Sequence, residues 1–367
     1  MTKYTLYGTQ FSLYSGKIRA YLRYKNIPYD EELSTIGIYK KVIIPKTGVR
    51  FIPVVKTPDN EYLQDTTYII DELEKRHTNK SVYPTTPKQR LVSLLLELFG
   101  DEWLLIPAMH YRWNYDNSRF IYREFGKVVS PKLPGIIREF IGKKIGSRFK
   151  GIVPLLGITN KTIPAIEQWY EQNFLVEFNQ HLSTYPFLLG NAPCIGDFGL
   201  FASLYAHLYR DPYPGQLMKK LAPNVVQWID RMKDASSIKG EFLPDDEIPE
   251  TLLPILTHLF TNQWPVLEDT ANRLSKWYEE QGKSELPIEI PRRLGMHKFS
   301  FKGIAEERMV LPYSQWMMQR PLYFYQSLSS QEKNNLEPFL TQIKGLSALS
   351  FPIKTKVTRI NNKFMIN

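Results

Sequence analysis

Residues 51–67 read Phe51-Ile52-Pro53-Val54-Val55-Lys56-Thr57-Pro58-Asp59-Asn60-Glu61-Tyr62-Leu63-Gln64-Asp65-Thr66-Thr67. The runs 51–56 and 62–63 are apolar, β-branched or aromatic. Between them Thr57-Pro58-Asp59-Asn60 is a turn by composition, so the stretch predicts a hairpin. Pro53 falls inside the first run. Proline has no N–H to give to a ladder, and its amide accepts the cis form at a cost of only about 0.5–1 kcal/mol. A proline here marks either a sheet edge or a turned backbone. Gln64-Asp65-Thr66 then opens a helix over Thr66–Arg76, with Ile69, Ile70 and Leu73 inward and Asp65 or Thr66 as an ordinary N-cap.

Outward from this stretch, an apolar strand over 3–7 leads into the loop Gly8-Thr9-Gln10-Phe11-Ser12-Leu13-Tyr14-Ser15-Gly16. A basic helix over 16–25 follows, with Ile18, Tyr21 and Leu22 on its apolar face, and then a strand over 29–33. The next residues are poorly patterned and carry the breakers Pro45 and Gly48. The order βαβ then ββα predicts a four-stranded mixed sheet with helices on both sides, a domain over 1–80. A Pro- and Thr-rich linker over 81–87 separates it from a region of helical period. There Leu91, Leu94, Leu95, Leu98 and Trp103 line one helix. Further helices are expected over 163–185, 196–208 and 225–232, giving an all-helical domain over 88–240. Residues 241–367 read as an extension wrapping or appended to the helical domain. In it, 249–282 looks like a helix broken at Pro254 and Pro265. Strand character shows over 298–302 and 308–313, and Ser314-Gln315-Trp316-Met317-Met318-Gln319 is aromatic and Met-rich.

The 367 residues are ordinary for a globular chain, with 43% hydrophobic and 23% charged side chains. The single cysteine, Cys194, excludes an intrachain disulfide framework or a Cys-based zinc site. The six histidines show no metal-ligand spacing, so no metal is expected. Neither a phosphate loop nor a nucleophile elbow is present. The opening Met1-Thr2-Lys3-Tyr4 lacks the layout of a signal peptide, and a cytoplasmic location is expected. The net charge of +10 is concentrated. Residues 119–150 hold nine basic side chains against Glu124 and Glu139, a balance of +7, and the tail from Phe351 adds Lys354, Lys356, Arg359 and Lys363 with no acid. A basic segment is commonly a solvated face. It can also meet an anionic membrane or nucleic acid, and 134–144 can form an amphipathic helix at a membrane surface. Peripheral membrane contact is carried as a weak expectation, and nucleic acid as a weaker one.

The order of elements over roughly 3–235 resembles the glutathione transferase superfamily. The fold this implies is an α+β thioredoxin-like amino-terminal domain followed by an all-α transferase-type domain. Ile52-Pro53 matches the family's cis-proline site, where the backbone of Ile52 would pair with an extended peptide like an added strand. Gln64-Asp65-Thr66 matches the helix start that holds the γ-glutamyl end of glutathione, since exposed N–H groups and a hydroxyl there favour a carboxylate. The loop before the first helix is where the family places a residue that steadies the ligand's thiolate. Ser12 falls there, with Ser15, Tyr14 and Tyr7 as rivals, although Leu13 follows where the family usually has proline. A hydroxyl can stabilise a thiolate but cannot form a mixed disulfide. The resemblance further implies glutathione as co-substrate, a small apolar electrophile against Trp103, His110, Tyr111 and Trp113, and a homodimer. These four aromatics read equally as core. In the family's Ser/Thr-x-x-Asp capping box Cys194 replaces the hydroxyl, which leaves Asp197 a folding role. Two functions follow: an enzyme in which Ser12 holds the thiolate for attack on the electrophile, or a non-catalytic binding or scaffold protein whose extension covers the pocket or offers 314–319 to a partner.

Overall fold

The computed structural model describes residues 3–115, 118–282 and 285–367. Strand β1 (Tyr4–Gly8) leads to helix α1 (Leu13–Tyr24) and then to β2 (Tyr29–Leu33). The hairpin β3 (Val54–Lys56) and β4 (Tyr62–Gln64) is followed by α2 (Thr66–Arg76). The sheet order is β2-β1-β3-β4, with β1 and β2 parallel and the other pairs antiparallel. This is the four-stranded mixed sheet expected from βαβ followed by ββα, and the thioredoxin-like arrangement that the resemblance implies. Side chains alternate across it. Leu6 and Val55 join Ile18, Ile69 and Leu73 in the main core, while Tyr7 and Val54 pack with Ile43 on the other face. The unpatterned stretch proves helical over 36–47, including a π-turn at Tyr39–Ile43, and ends on Gly48 in the left-handed region at φ 73°.

The helical segment begins with α3 (Pro87–Leu98), α4 (Leu105–Asn114), α5 (Ser118–Val129) and α6 (Gly135–Lys150), and continues with α7 (Leu175–Thr184), α8 (Ile195–Ser203) and α9 (Pro223–Lys233). Helix α8 lies across α3 and is buried along its whole length. Gly100 and Gly199 permit this, because a Cβ on Gly100 would lie 2.4 Å from the backbone of Gly199 and one on Gly199 would lie 2.8 Å from that of Glu97. Asp197 holds the start of α8: its carboxylate accepts from the Cys194 and Leu188 N–H groups and from Trp228 Nε1.

The extension is woven into the same core. Residues 250–280 stay helical through both prolines, contrary to the break expected there. Pro254 sits in the first turn of a helix at Leu253–His258, and Pro265 in the first turn of α10 (Trp264–Glu280), after a π-turn over Leu259–Gln263. The missing N–H therefore falls where the helical hydrogen bonding has already shifted. A short strand β5 (Ile288–Glu289) precedes a hairpin of β6 (Met296–Phe301) and β7 (Ile304–Met309). This hairpin turns on Lys302 and Gly303, both at positive φ, the geometry of a two-residue hairpin turn. Strand character stops at Met309, and Tyr313 falls in helix α11 (Pro312–Ser327). The chain ends in β8 (Thr358–Ile360) and β9 (Lys363–Ile366), turned on Asn361 and Asn362, also at positive φ. Residues 314–319 offer no partner surface of the kind expected, since Ser314, Gln315, Met317, Met318 and Gln319 are buried inside the molecule. Among the described residues no helix is long and apolar enough to cross a membrane.

Candidate functional site

Four candidate hydroxyls lie in β1, in the loop after it and in the first turn of α1, and burial and bonding separate them. Ser12 caps α1 from extended backbone, its Oγ accepting the Ser15 N–H at 3.3 Å. A serine hydroxyl has one donor besides its acceptor sites. The Ser12 donor meets no acceptor among the described residues, and the side chain is half-buried. Ser15 is buried, its Oγ accepting the Thr9 N–H at 3.2 Å. Tyr14 donates to the Asp101 carbonyl at 3.4 Å, and burial raises its pKa further above the ordinary tyrosine range. Tyr7 lies on the other sheet face, stacked on Tyr62, with burial and then Glu32 pushing it up to about 12. Ser15 Oγ likewise donates to nothing among the described residues, but it is fully buried, so Ser12 is the more exposed of the two serines with a spare donor.

The Ile52–Pro53 peptide bond is cis. Beside β3 and β4, Asp65 takes φ 78° and caps α2, one carboxylate oxygen accepting from the N–H groups of Thr67 and Tyr68 at 3.1 Å each. Ile52, Gln64, Asp65 and Thr66 are thereby gathered around this corner of the sheet, but they are not all free. Tyr313 at the start of α11 donates its hydroxyl to the other Asp65 oxygen at 3.0 Å. Arg359 in β8 donates to the Gln64 backbone carbonyl and, at 2.9 Å, to Gln64 Oε1. Its guanidinium also lies over the Tyr68 ring at 4.7 Å. Asn362 secures the turn beside it by donating to the Thr47 carbonyl at 2.9 Å. Thr66 is left 2% exposed. The extension therefore covers the end of the site expected to take a carboxylate.

Below this corner lies a buried charge cluster. Lys17 of α1 donates to Glu97 at 2.9 Å and to Asp101 at 2.6 Å, all three buried. Glu97 also accepts from Thr67 at 2.9 Å and lies 3.4 Å from Arg320 of α11. Burial opposes the Lys17 charge, but Asp101 and Glu97 outweigh it and hold its pKa above the usual lysine range. Burial, followed by like charges, pushes Asp101 up to about 7 against the pull of Lys17. Glu102, hydrogen-bonded to Ser314, is likewise raised to about 7 by burial.

The expected pocket for an apolar electrophile is not formed by the residues assigned to it. Trp103 is 1% exposed, donates to His258 at 2.9 Å and stacks on Phe301. His110 is held between Glu167 and Asn114, Tyr111 donates to Glu171, and Trp113 packs on Tyr122 and Phe125. The π-turn at Phe99–Trp103 ends the α-helix at Leu98, short of the Trp103 expected to share its face with Leu91 and Leu98. All four are core side chains. The sequence reading missed Tyr313 and Arg359. The acid-free basic tail was the one visible sign, and nothing in the linear pattern ties Arg359 to a residue 295 positions away. Among the described residues no three His, Cys, Asp or Glu side chains cluster to hold a metal ion.

Residues 6–81 match the family model described as glutathione S-transferase, N-terminal domain. No curated protein matches the chain. Among solved structures, a glutathione S-transferase from Rhodospirillum rubrum F11 is 14% identical, with 67% of this chain and 96% of that chain covered and a TM-score of 0.42. One from Methylobacterium radiotolerans, in complex with glutathione sulfonate, is 17% identical over 68% and 100% with a TM-score of 0.37. One from Methylobacillus flagellatus, with GSH bound, is 17% identical over 64% and 96% with a TM-score of 0.39. Residues 6–81 thus carry a sheet of thioredoxin-like order that matches the amino-terminal domain of the glutathione S-transferases.

Proposed function

We propose that this protein is a glutathione-transferase-type binding protein whose peptide cleft is held closed at the γ-glutamyl end by its own extension, and that conjugation is not its activity in this form. The observation that carries the reading is the pair of contacts Tyr313–Asp65 and Arg359–Gln64. A bound peptide needs these polar groups, and here the chain itself satisfies them. The burial of Trp103, His110, Tyr111 and Trp113 supports the same reading, because a conjugating enzyme needs room for an electrophile beside the thiol. A second reading, thiolate attack on an apolar electrophile, has one specific support, the spare donor of Ser12.

Two measurements on the full chain separate them: calorimetry with glutathione, and turnover of glutathione with an aryl halide. The binding reading expects no turnover, and it expects glutathione to bind at least about tenfold more tightly once Tyr313→Phe and Arg359→Ala remove the competing donors, each worth about 1 kcal/mol or more. Turnover by the native chain that disappears in Ser12→Ala overturns it in favour of the enzyme.

A further inference from the structure

The basic segment of the sequence forms a helical hairpin of α5 and α6 joined through 130–134. The two helices approach closely because glycines line their seam. A Cβ on Gly142 would lie 1.9 Å from the Tyr122 carbonyl oxygen, and one on Gly126 would lie 2.2 Å from that of Arg138. Helix α5 faces the body of the protein through Ile121 and Phe125, which are buried. Helix α6 rests on α5, with Phe149 against Phe125 at 5.3 Å, and turns its other face outward.

That outward face is not polar. Ile136 is 88% exposed and Phe140 70% exposed, one turn apart, and Ile137 and Leu133 beside them are also exposed. This is an apolar tip at the turn end of the hairpin. Along the same face behind it come Lys143, Lys144 and Arg148. The two acids are already neutralised: Glu139 by Arg123 at 3.2 Å and Arg119 at 3.8 Å, and Glu124 by Lys127 at 2.9 Å and Arg210 at 3.4 Å. Lys132, Arg138, Lys143, Lys144, Arg148 and Lys150 have no ion pair among the described residues.

We infer that the tip of the α5–α6 hairpin docks on an anionic lipid bilayer, with Leu133, Ile136, Ile137 and Phe140 entering the headgroup boundary and the uncompensated cations meeting lipid phosphates and carboxylates. Apolar side chains flanked by basic ones match an interface whose surface is negative and whose interior is apolar. Nucleic acid would use the cations and can stack on Phe140, but it leaves the aliphatic majority of the tip, Leu133, Ile136 and Ile137, in water. A second copy of this chain would bring the same +7 segment against itself across a two-fold axis. The inference is independent of the state of the amino-terminal cleft.

The test is co-sedimentation of the full chain with vesicles of phosphatidylcholine alone and of phosphatidylcholine with phosphatidylserine. Binding to the anionic vesicles only is expected, weakening as salt rises from 0.05 to 0.5 M. Ile136→Ser with Phe140→Ser should reduce it about tenfold or more, and Lys143→Gln with Lys144→Gln by a similar factor. Unchanged circular dichroism of both variants keeps the comparison valid, and these side chains are too exposed to carry the fold. Equal binding to neutral vesicles, indifference to the Ile136 and Phe140 changes, or tighter binding of a duplex oligonucleotide that also ignores those changes would overturn the proposal. So would a dimer, seen by sedimentation, that the serine variant abolishes while vesicles are not bound.

Discussion

Asp65 carries more of the local architecture than its position suggests. It holds a left-handed φ, caps two N–H groups of α2 with one oxygen, and takes the Tyr313 hydroxyl on the other. Losing an aspartate cap typically costs about 1 kcal/mol, and leaving the half-buried Tyr313 hydroxyl without its acceptor adds a further cost of about 1 kcal/mol. Asp65→Ala should therefore lower the urea midpoint clearly more than Ser12→Ala, which removes one cap contact at a half-exposed site. Equal midpoints for the two variants would show that the Tyr313 contact contributes nothing to stability.

At the scale of elements, the α5–α6 hairpin is a place where one methyl group has a large consequence. With the Tyr122 carbonyl oxygen only 1.9 Å from where a Cβ on Gly142 would sit, Gly142→Ala must push α6 away from α5, since backbone cannot yield as a flexible side chain can. Faster amide hydrogen exchange confined largely to 118–150 is expected, with exchange in α8 unchanged. Uniform acceleration across the protein would mean that the hairpin does not open as a separate unit. The β8–β9 hairpin shows the converse economy. Its two-asparagine turn sets the strand pairing and also anchors Arg359 and Thr47, so a nine-residue segment places the guanidinium over the amino-terminal cleft.

For the whole molecule, the extension is joined to the helical domain through groups whose protonation burial has altered. His258 accepts from Trp103, and burial pushes its pKa down to about 3. Glu102, bonded to Ser314, is pushed up to about 7. The two have opposite signs in pH. Between about 6.5 and 3 the unfolded chain protonates His258 and the folded chain does not, so this site loses stability as pH falls. Between about 4.5 and 7 the folded chain keeps a proton on Glu102 that the unfolded chain releases, so this site loses stability as pH rises. Each unit of difference is worth about 1.4 kcal/mol. Measured against the native protein, His258→Gln should gain in relative stability as pH is lowered from 6.5 to 4.5, and Glu102→Gln as pH is raised from 4.5 to 7. Parallel pH profiles for native and variant proteins would contradict the burial assigned to these groups. Truncation before α11 should not simply open the cleft. Met317, Met318, Leu322, Leu336 and Leu340 belong to the common core, so loss of this segment should leave a chain that aggregates rather than one that binds glutathione.

The sequence by itself determined most of the amino-terminal domain. Its strands, the helices α1 and α2, the proline before Val54 and the cap at Asp65 all arise from residues a few positions apart, where side-chain period, turn chemistry and capping act over short range, whereas the helical stretch over 36–47 shows no such period. The same short-range logic reached the main helices beyond Lys88. Only the tertiary structure decided what faces the cleft. Whether Trp103 lines a pocket or fills a core depends on β6 bringing Phe301 against it from 198 positions downstream. Whether Gln64 and Asp65 await a ligand depends on Arg359 and Tyr313, which lie about 250–300 positions away. Contacts over such distances leave no period in the chain, because they are selected by the packing of whole elements rather than by the preferences of neighbouring residues.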